Sequence, residues 1–553
     1  LEAHGTRLIP LGGLGEFGLN ALVVEHAGRL LLVDAGLLFA GAEMPGIDTI
    51  VPDFRCLAER REALQAIVLT HAHEDHIGAL PFALQAAPAP VYGTRLTLGL
   101  VRRRLQERGL GGTDLRVIVP GDVVEAGPFR LHPIRVAHSV CDSVAVAVEA
   151  GPTTLLFSGD FKLDPLAPPA ERTDLPALAA WGRRGVDVLL SDSTNVERTG
   201  TSGGEDAVRP AFEEVFARTR GKVLVSCFAT SFPRIELVAA LARRSGRRVG
   251  FLGRRMEDNA ALAMDLGFLS LSPAEVVPPP ALSQEPPGSL AVFVSGSQGE
   301  PMSALSLIGV DEHPDLGVGP GDTLVLSARP IPGNERTISR LIGNVFRRGA
   351  DVVHPGTAHV HVSGHAHRDE LAELVRLVRP RHFVPVHGEF RMLAQHARLA
   401  VEAGVPEADV HLLEDGDTLE LHPGVARRGE RAPAGRTLLD RAGADEVEDL
   451  VVRDRRQLSA QGIVVPVVVL DKQTGRVESA PEIVTRGFVD PADRGAALLE
   501  DAGRLVVEAV EARPPEERHD PALTRERVRL ALRRFFRKRT QRRPVVIPVV
   551  MEV

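Results

Sequence analysis

"THAHEDHIGAL" (Thr70–Leu80) places His71, His73, Asp75 and His76 in the pattern H-x-H-x-D-H, directly behind the apolar run "QAIVL" (Gln65–Leu69). In extended backbone, alternate residues point the same way, so His71 and His73 can grip one ion. Asp75 and His76, one turn further on, can face a second. Imidazole and carboxylate donors suit zinc or manganese. A solvated loop has no use for three imidazoles in six positions. Glu74 points away from its neighbours and is read as a supporting residue.

Two ions need more donors than this stretch supplies. The candidates are His138 in "RVAHSVCDS", Asp160 in "LLFSGDFK" and His387 in "HFVPVHGEF". Each ends an apolar, strand-like run, where a layered α/β fold collects its functional loops. Cys141, close to His138, is read as a small buried hydrophobe.

With 553 residues the chain is too long for one core, and two to four domains are expected. Hydrophobic residues at 44% and charged residues at 25% are an ordinary globular balance. Three scattered cysteines, Cys56, Cys141 and Cys227, exclude a disulfide scaffold and a zinc ribbon. "LEAHGTRLIP" has no basic n-region followed by an apolar h-region, so no signal peptide is expected. The longest apolar runs, such as "GIVVPVVVL", are about half the ~20 residues needed to span a bilayer. A cytoplasmic protein is the expectation. The net charge of −8 means that any nucleic-acid site must be a local basic feature.

Residues Thr6 to Asp160 read as short strands mixed with helices such as "RLTLGLVRRRLQERGL", which suggests sheets covered by helices. From Gly203 to about Ala350, amphipathic helices alternate with strands such as "KVLVSCF", as in an inserted α/β domain. "LSPAEVVPPPALSQEPPGSL" is a proline-rich surface loop. "HPGVARRGERAPAGR", from His422, reads as a linker. A small α/β domain of strands around a turn, two helices and a last strand follows it. The expected divisions are 1–202 and 351–422 for a divided first domain, 203–350 for the insertion, 423–460 for the linker and 461–553 for the last domain.

Gly13, Gly15 and Gly18 spell G-x-G-x-x-G after a strand, with Asp34 where a ribose-binding acid would stand. A dinucleotide site needs a helix to begin there. "LNALVVEHAGRLLLVDAG" instead predicts strand, turn, strand. The loop is therefore read as a tight turn that brings backbone close to something else.

H-x-H-x-D-H followed by His138 and by Asp160 in "SGD" resembles the metallo-β-lactamase superfamily. That resemblance implies an αβ/βα sandwich with a two-metal site between its sheets and Asp160 bridging both ions. The last donor, His387, falls beyond a whole α/β segment, as in the β-CASP branch, whose members process nucleic acids. Asp192 and His365 match the acidic and histidine motifs of that branch, and a histidine at position 387 matches its RNA-acting members. "GGLGEFGLN", "VSGSQGEPMSAL", "SARPIPGNE", "HVSGHAH" and "RRPVVIPVVMEV" extend the resemblance to the bacterial ribonuclease J family over nearly the whole chain. "SARPIPGNE" and "AHSVCDS" depart slightly from the expected patterns.

The resemblance implies a 5′→3′ exonuclease and endonuclease acting on single-stranded RNA in decay and maturation, with two divalent ions per chain, zinc before manganese. It implies that His365, oriented by Asp192, is the general acid. It implies substrate contacts from His361, Val362, Ser363, Gly364 and His365, and from the Thr230-Ser231-Phe232 loop, where Phe232 either stacks a base or is an ordinary buried phenylalanine. It further implies a structural divalent ion such as calcium at Pro45, Ile47 and Asp440, a homodimer or dimer of dimers, and RNA-decay proteins as partners. The basic segment "RERVRLALRRFFRKRTQRRP" is read as the outer face of the dimerisation domain. The competing readings are a thioesterase or lactonase of the same fold, a DNA nuclease, and a scaffold without activity.

Overall fold

The computed structural model describes residues 5–41, 43–331, 333–440, 446–490, 495–512, 514, 518 and 520–553. The chain folds as two compact units. One is Leu1–Leu38 with Ile50–Thr437; the other is Phe39–Thr49 with Leu438–Val553.

The larger unit is built on two sheets. Among the described residues the first runs, in spatial order, Val425–Arg428, Leu419–His422, Thr6–Gly12, Ala21–His26, Arg29–Val33, Leu64–Val68, Val91–Gly93 and Leu115–Val117. The second runs Val124–Ala126, Phe129–Arg135, Val144–Ala150, Thr153–Phe157, Val188–Asp192 and His382–Val386. One core is shared by both: Leu8, Val24, Leu31 and Val68 from the first meet Leu131, Val146, Leu155 and Leu190 from the second. The outer face of the second sheet is covered by helices Leu175–Arg184, Arg368–Val378 and Phe390–Glu402.

The "VAVAVEA" strand shows how sequence sets the layers. Val144, Val146 and Val148 face the inter-sheet core, while Ala145 and Ala147 face the helices. A strand alternates faces with period two, and small alanines let helices approach the sheet. The last three strands of the second sheet are parallel. Their C-terminal ends therefore share one edge, and it carries Asp160, Asp192 and His387.

Between Val188–Asp192 and His382–Val386 the chain forms a second layer system. Val276–Val277, Arg248–Leu252, Leu290–Val294, Val223–Ser226, Thr323–Leu326 and Asp351–Val353 make a parallel sheet among the described residues. The proline-rich stretch folds into short 3₁₀ turns around the two-residue strand Val276–Val277. The expected linker is only partly one: Val425–Arg428 pairs antiparallel with Leu419–His422 and closes the edge of the first sheet.

The smaller unit pairs Ile463–Leu470 with Glu482–Arg486 and with the final strands Val545–Val546 and Val549–Glu552. Helix Pro521–Thr540 buries Thr524, Val528, Leu532 and Phe536, one residue per turn, and leaves its arginines to solvent. That is the spacing of a narrow apolar stripe.

Candidate metal centre and the loops around it

Strand Leu64–Val68 ends at Thr70, and the next residues turn into the short helix Glu74–Ile77. His71 and His73 come from the extended part, His76 from the helical turn. The three arrive at one point with His138, Asp160 and His387. Nε2 of His71 lies 3.2 Å from Nδ1 of His73, and Nε2 of His138 lies 3.1 Å from that same atom. Asp160 Oδ2 stands 3.5 Å from His71, 3.8 Å from His138 and 3.6 Å from His387 Nε2. Asp160 Oδ1 is 3.4 Å from His76 Nε2. Asp75 Oδ2 is 3.8 Å from His76 Nε2 and 3.7 Å from His387 Nε2. Two compact donor groups result: His71, His73, His138 and Asp160, then Asp75, His76, Asp160 and His387. A third grouping joins Asp160, Asp192, His365 and His387.

The back of each ring fixes which nitrogen carries its proton. His76 Nδ1 donates to Asp34 Oδ2 at 2.8 Å. Thr70 Oγ1 gives its own proton to Asp34 Oδ2 at 2.8 Å, so it accepts from His71 Nδ1 at 3.0 Å. His138 Nδ1 donates to the Gly364 carbonyl at 2.8 Å, and a carbonyl can only accept. In His71 and His138 Nε2 is left with its lone pair toward the centre, while His76 Nε2 lies 3.1 Å from the Asn20 side-chain amide. Outer partners of this kind orient ligand histidines and set their tautomers.

The Nε2 lone pairs of His71 and His138 converge on one nitrogen of His73, which can give a proton to only one of them, so an acceptor is left over that a cation would satisfy. Two nitrogens bound to one tetrahedral zinc at about 2.0–2.1 Å stand roughly 3.3 Å apart, close to the spacing seen here. Asp160 Oδ2, wholly buried, has no hydrogen-bond donor among the described residues. Burial drives His71 and His138 well below the usual imidazole range, toward the neutral form that coordinates metal. His76 is pushed the other way: burial opposes its charge, but Asp160, Asp34 and Asp75 outweigh it. Those carboxylates demand positive charge at that point. The residues present thus fit a divalent-cation centre.

His365 stands beside this cluster, its ring centroid 5.0 Å from that of His138. Its Nδ1 is 2.8 Å from Asp192 Oδ2, the last residue of its strand. Burial works against the imidazolium, but Asp192 and Asp160 outweigh burial and raise the ring to about 9. Thr194 N and Oγ1 hold the other Asp192 oxygen, at 2.9 and 2.6 Å. Gly364 is required by close approach: a Cβ there would meet Ser139 Oγ at 2.7 Å and the His138 ring at 2.8 Å.

The "HVSGH" segment is braced by Asn195, whose Nδ2 donates to Ser363 Oγ at 2.7 Å and to the His365 carbonyl at 3.1 Å. Val362 is buried. His361 Nδ1 faces the Ser327 carbonyl at 3.3 Å; burial and the Arg234 cation lower its pKa to about 4. His361 is therefore a neutral group at neutral pH.

The Thr230-Ser231-Phe232 loop follows strand Val223–Ser226 in the inserted domain. Phe232 begins helix Phe232–Arg244 and is 0% exposed, so of its two readings the base-stacking one is corrected and the buried one holds. Packing at the helix start claims its ring. Phe228, four residues earlier and 38% exposed, is the aromatic that the loop presents to solvent. At the expected structural-ion position the Pro45 and Gly46 carbonyls lie 3.4 and 3.3 Å from Arg455 Nη1. Glu74 accepts from Arg104 and lies 3.4 Å from Arg255 of the insertion, as befits a residue turned away from the cluster.

Sequence reading missed Asn20, Asn195, Phe228 and the bracing role of Asp34. Asparagine carries no metal-ligand signal, and their roles exist only through neighbours distant in the chain.

A two-sheet sandwich with this donor cluster at its edge, interrupted by a parallel α/β insertion, defines a metallo-β-lactamase-fold hydrolase of the β-CASP type. Residues 14–196 match the metallo-beta-lactamase superfamily, 220–345 the ribonuclease J beta-CASP domain, 352–412 a Zn-dependent metallo-hydrolase RNA specificity domain, and 450–553 the ribonuclease J C-terminal domain. The chain is 39% identical to ribonuclease J of Mycobacterium tuberculosis (strain CDC 1551 / Oshkosh) over 100% of its own length and 98% of the relative's. It is 35% identical to ribonuclease J2 of Bacillus subtilis (strain 168), over 100% and 99%. It is 32% identical to ribonuclease J of Helicobacter pylori (strain ATCC 700392 / 26695), over 98% and 79%. A crystal structure of a protein of unknown function from Enterococcus faecalis V583 shares the fold, with a TM-score of 0.51 at 15% identity, covering 75% of this chain and 100% of that one. The chain belongs to the ribonuclease J family and is a metal-dependent ribonuclease. No helix among the described residues is long and apolar enough to cross a membrane.

Proposed function

We propose that the protein removes nucleotides from the 5′ end of single-stranded RNA, prefers a 5′-monophosphate, and also cleaves internally. In this reading two divalent ions, zinc before manganese, would be held by His71, His73, His138 and Asp160 and by Asp75, His76, Asp160 and His387. Such ions lower the pKa of water and neutralise phosphoryl oxygens. The rest is the work of side chains. Asp192 fixes the ring of His365 and favours its protonated form, and His365 gives a proton to the departing 3′-oxygen. Products then carry a 5′-phosphate and a 3′-hydroxyl. Ser363 and the backbone N–H groups about Gly364 receive the terminal phosphate, as oriented amides do for anions. Phe228 offers a base a stacking face.

The observation that carries this reading is the 2.8 Å pairing of His365 with Asp192 beside the donor cluster. A thioesterase or lactonase has no need of that pair or of the inserted domain. Digestion of one RNA bearing 5′-monophosphate, triphosphate or hydroxyl tests it. Mononucleotides should appear fastest from the monophosphate and almost vanish with His365→Ala, which should keep both ions. Loss of an ion in that variant would make His365 a ligand instead.

A homodimer or dimer of dimers in the cytoplasm completes the proposal. The final strand, Val549–Glu552, pairs on one side with Ile463–Leu470, and Val549, Met551 and the neighbouring Ile547 are exposed apolar residues. An apolar edge strand of this kind invites a second chain. Light scattering on the eluted protein reads the state directly.

A further inference from the structure

The glycine loop at Gly13–Gly18 is not a nucleotide cradle, and its purpose lies in what it packs against. Leu14 and Gly15 pair with Gly388 and Glu389, immediately after the last donor. The His387 N–H donates to the Gly13 carbonyl at 3.0 Å. His387 itself adopts φ 55°, a left-handed backbone uncommon for a residue with a side chain. At the end of the same loop stands Asn20, nine-tenths buried.

The Asn20 amide touches both halves of the second donor group. Its Nδ2 lies 3.0 Å from the Asp75 carbonyl and 3.1 Å from His76 Nε2; its Oδ1 lies 3.0 Å from His387 Nδ1. The orientation follows by elimination. The Asp75 carbonyl can only accept, so the amide NH₂ faces it. The amide oxygen then faces His387 and can only accept in turn. His387 Nδ1 must therefore carry the ring proton, and Nε2 must offer its lone pair to the cluster. Gly13 makes room: a Cβ there would meet Asn20 Oδ1 at 2.5 Å, and its φ is +91°.

We infer that Asn20 is the positioning residue of the second metal site: its side chain sets the tautomer of His387 and ties that ligand, which the chain reaches only after the inserted domain, to the turn bearing Asp75 and His76. This rests on the two-ion reading above. The first group is held by other means, Thr70 behind His71 and the Gly364 carbonyl behind His138. Asn20 therefore acts on one site and not on the other. Partners of this kind change metal affinity by about 10–100-fold.

Zinc content and chelator competition on the full chain test it, with wild type, Asn20→Ala and Asn20→Asp. Wild type should bind two ions. Asn20→Ala should bind the first unchanged and the second at least about 10-fold more weakly. Asn20→Asp keeps an acceptor for His387 and should recover part of that loss. The backbone links of Asn20 to Asp75 and Gly36 do not involve the side chain, so the metal-free variants should keep the fold, with only the modest fall in melting temperature expected when the buried His387 N–H loses its acceptor. Equal affinity for both ions in Asn20→Ala overturns the inference. So does a parallel weakening of both sites with a lowered melting temperature, which marks a merely structural role. A wild-type chain that holds fewer than two ions overturns the two-ion reading and the inference with it.

Discussion

Two buried polar clusters lie within a few residues of one another in this fold, and they are built on opposite principles. One follows Asp160 by two positions: Lys162, almost fully buried, meets Glu205 at 3.2 Å and Asp164 at 3.7 Å. Arg234, from the inserted domain, reaches the other Glu205 oxygen at 2.7 Å and also donates to the Val360 carbonyl at 3.0 Å. Two cations face two carboxylates, and charge closes on itself. The other cluster is the histidine group. There, the Nε2 lone pairs of His71 and His138 converge on one nitrogen of His73, and a buried Asp160 oxygen has no donor among the described residues. The first is complete as folded and pins the insertion to the catalytic layer. The second is complete only with cations. Surplus acceptors, rather than burial or charge as such, separate a centre built for a ligand from one that only holds the fold together.

That contrast can be broken experimentally, and the largest effect is on the open cluster. Strong chelation should abolish RNA cleavage, and added zinc or manganese should restore it. Persistent cleavage in metal-free protein would remove the distinction between the clusters. The closed cluster should respond in stability instead. Arg234→Met leaves the two buried carboxylates Glu205 and Asp164 with Lys162 as their one remaining cation in this cluster, and it should cost about 3–5 kcal/mol in denaturant unfolding. Metal content should be unchanged.

A smaller effect sharpens the boundary between them. His396 is fully buried, 3.0 Å from Ser193 Oγ, and burial lowers its pKa to about 3. The unfolded chain takes up that proton near 6.5, and the folded chain does not. Its contribution is present above about 6.5 and is lost as pH falls from there toward 3. Unfolding of His396→Gln should show a shallower loss of stability between pH 6.5 and 4 than wild type. An identical slope would place the acid sensitivity elsewhere. The smallest effect concerns the loop: Phe228→Ala should weaken RNA binding by about 1–3 kcal/mol at most, while Phe232→Ala should act on stability first. Measured KM and melting temperature separate the two.

How much of this could be read in advance differs from residue to residue. His71, His73, Asp75 and His76 announce themselves, because donors that share a turn are close whatever the fold does. His138, Asp160 and His387 were legible as missing donors at strand ends. Asp192 and His365 carried no local signal and came from the resemblance alone. Phe232 stayed open between base stacking and burial because a sequence shows an aromatic in a loop without showing which way the next helix turns it. "HPGVARRGERAPAGR" looked like a linker because its polar, Gly/Pro-rich composition hid the pairing of Val425–Arg428 with a strand that composition cannot name.

The sequence by itself determined the layered α/β class, the strand faces and the demand for metal, since periodicity and donor type are local properties of the chain. Only the tertiary structure decided which nitrogen of His71, His138 and His387 faces the cluster, that Asn20 serves His387, and that Lys162 and Arg234 pair with buried carboxylates. Each of those depends on a carbonyl, an amide or a carboxylate brought in from far along the chain, and a hydrogen bond acts over about 3 Å in space, whatever the separation in sequence.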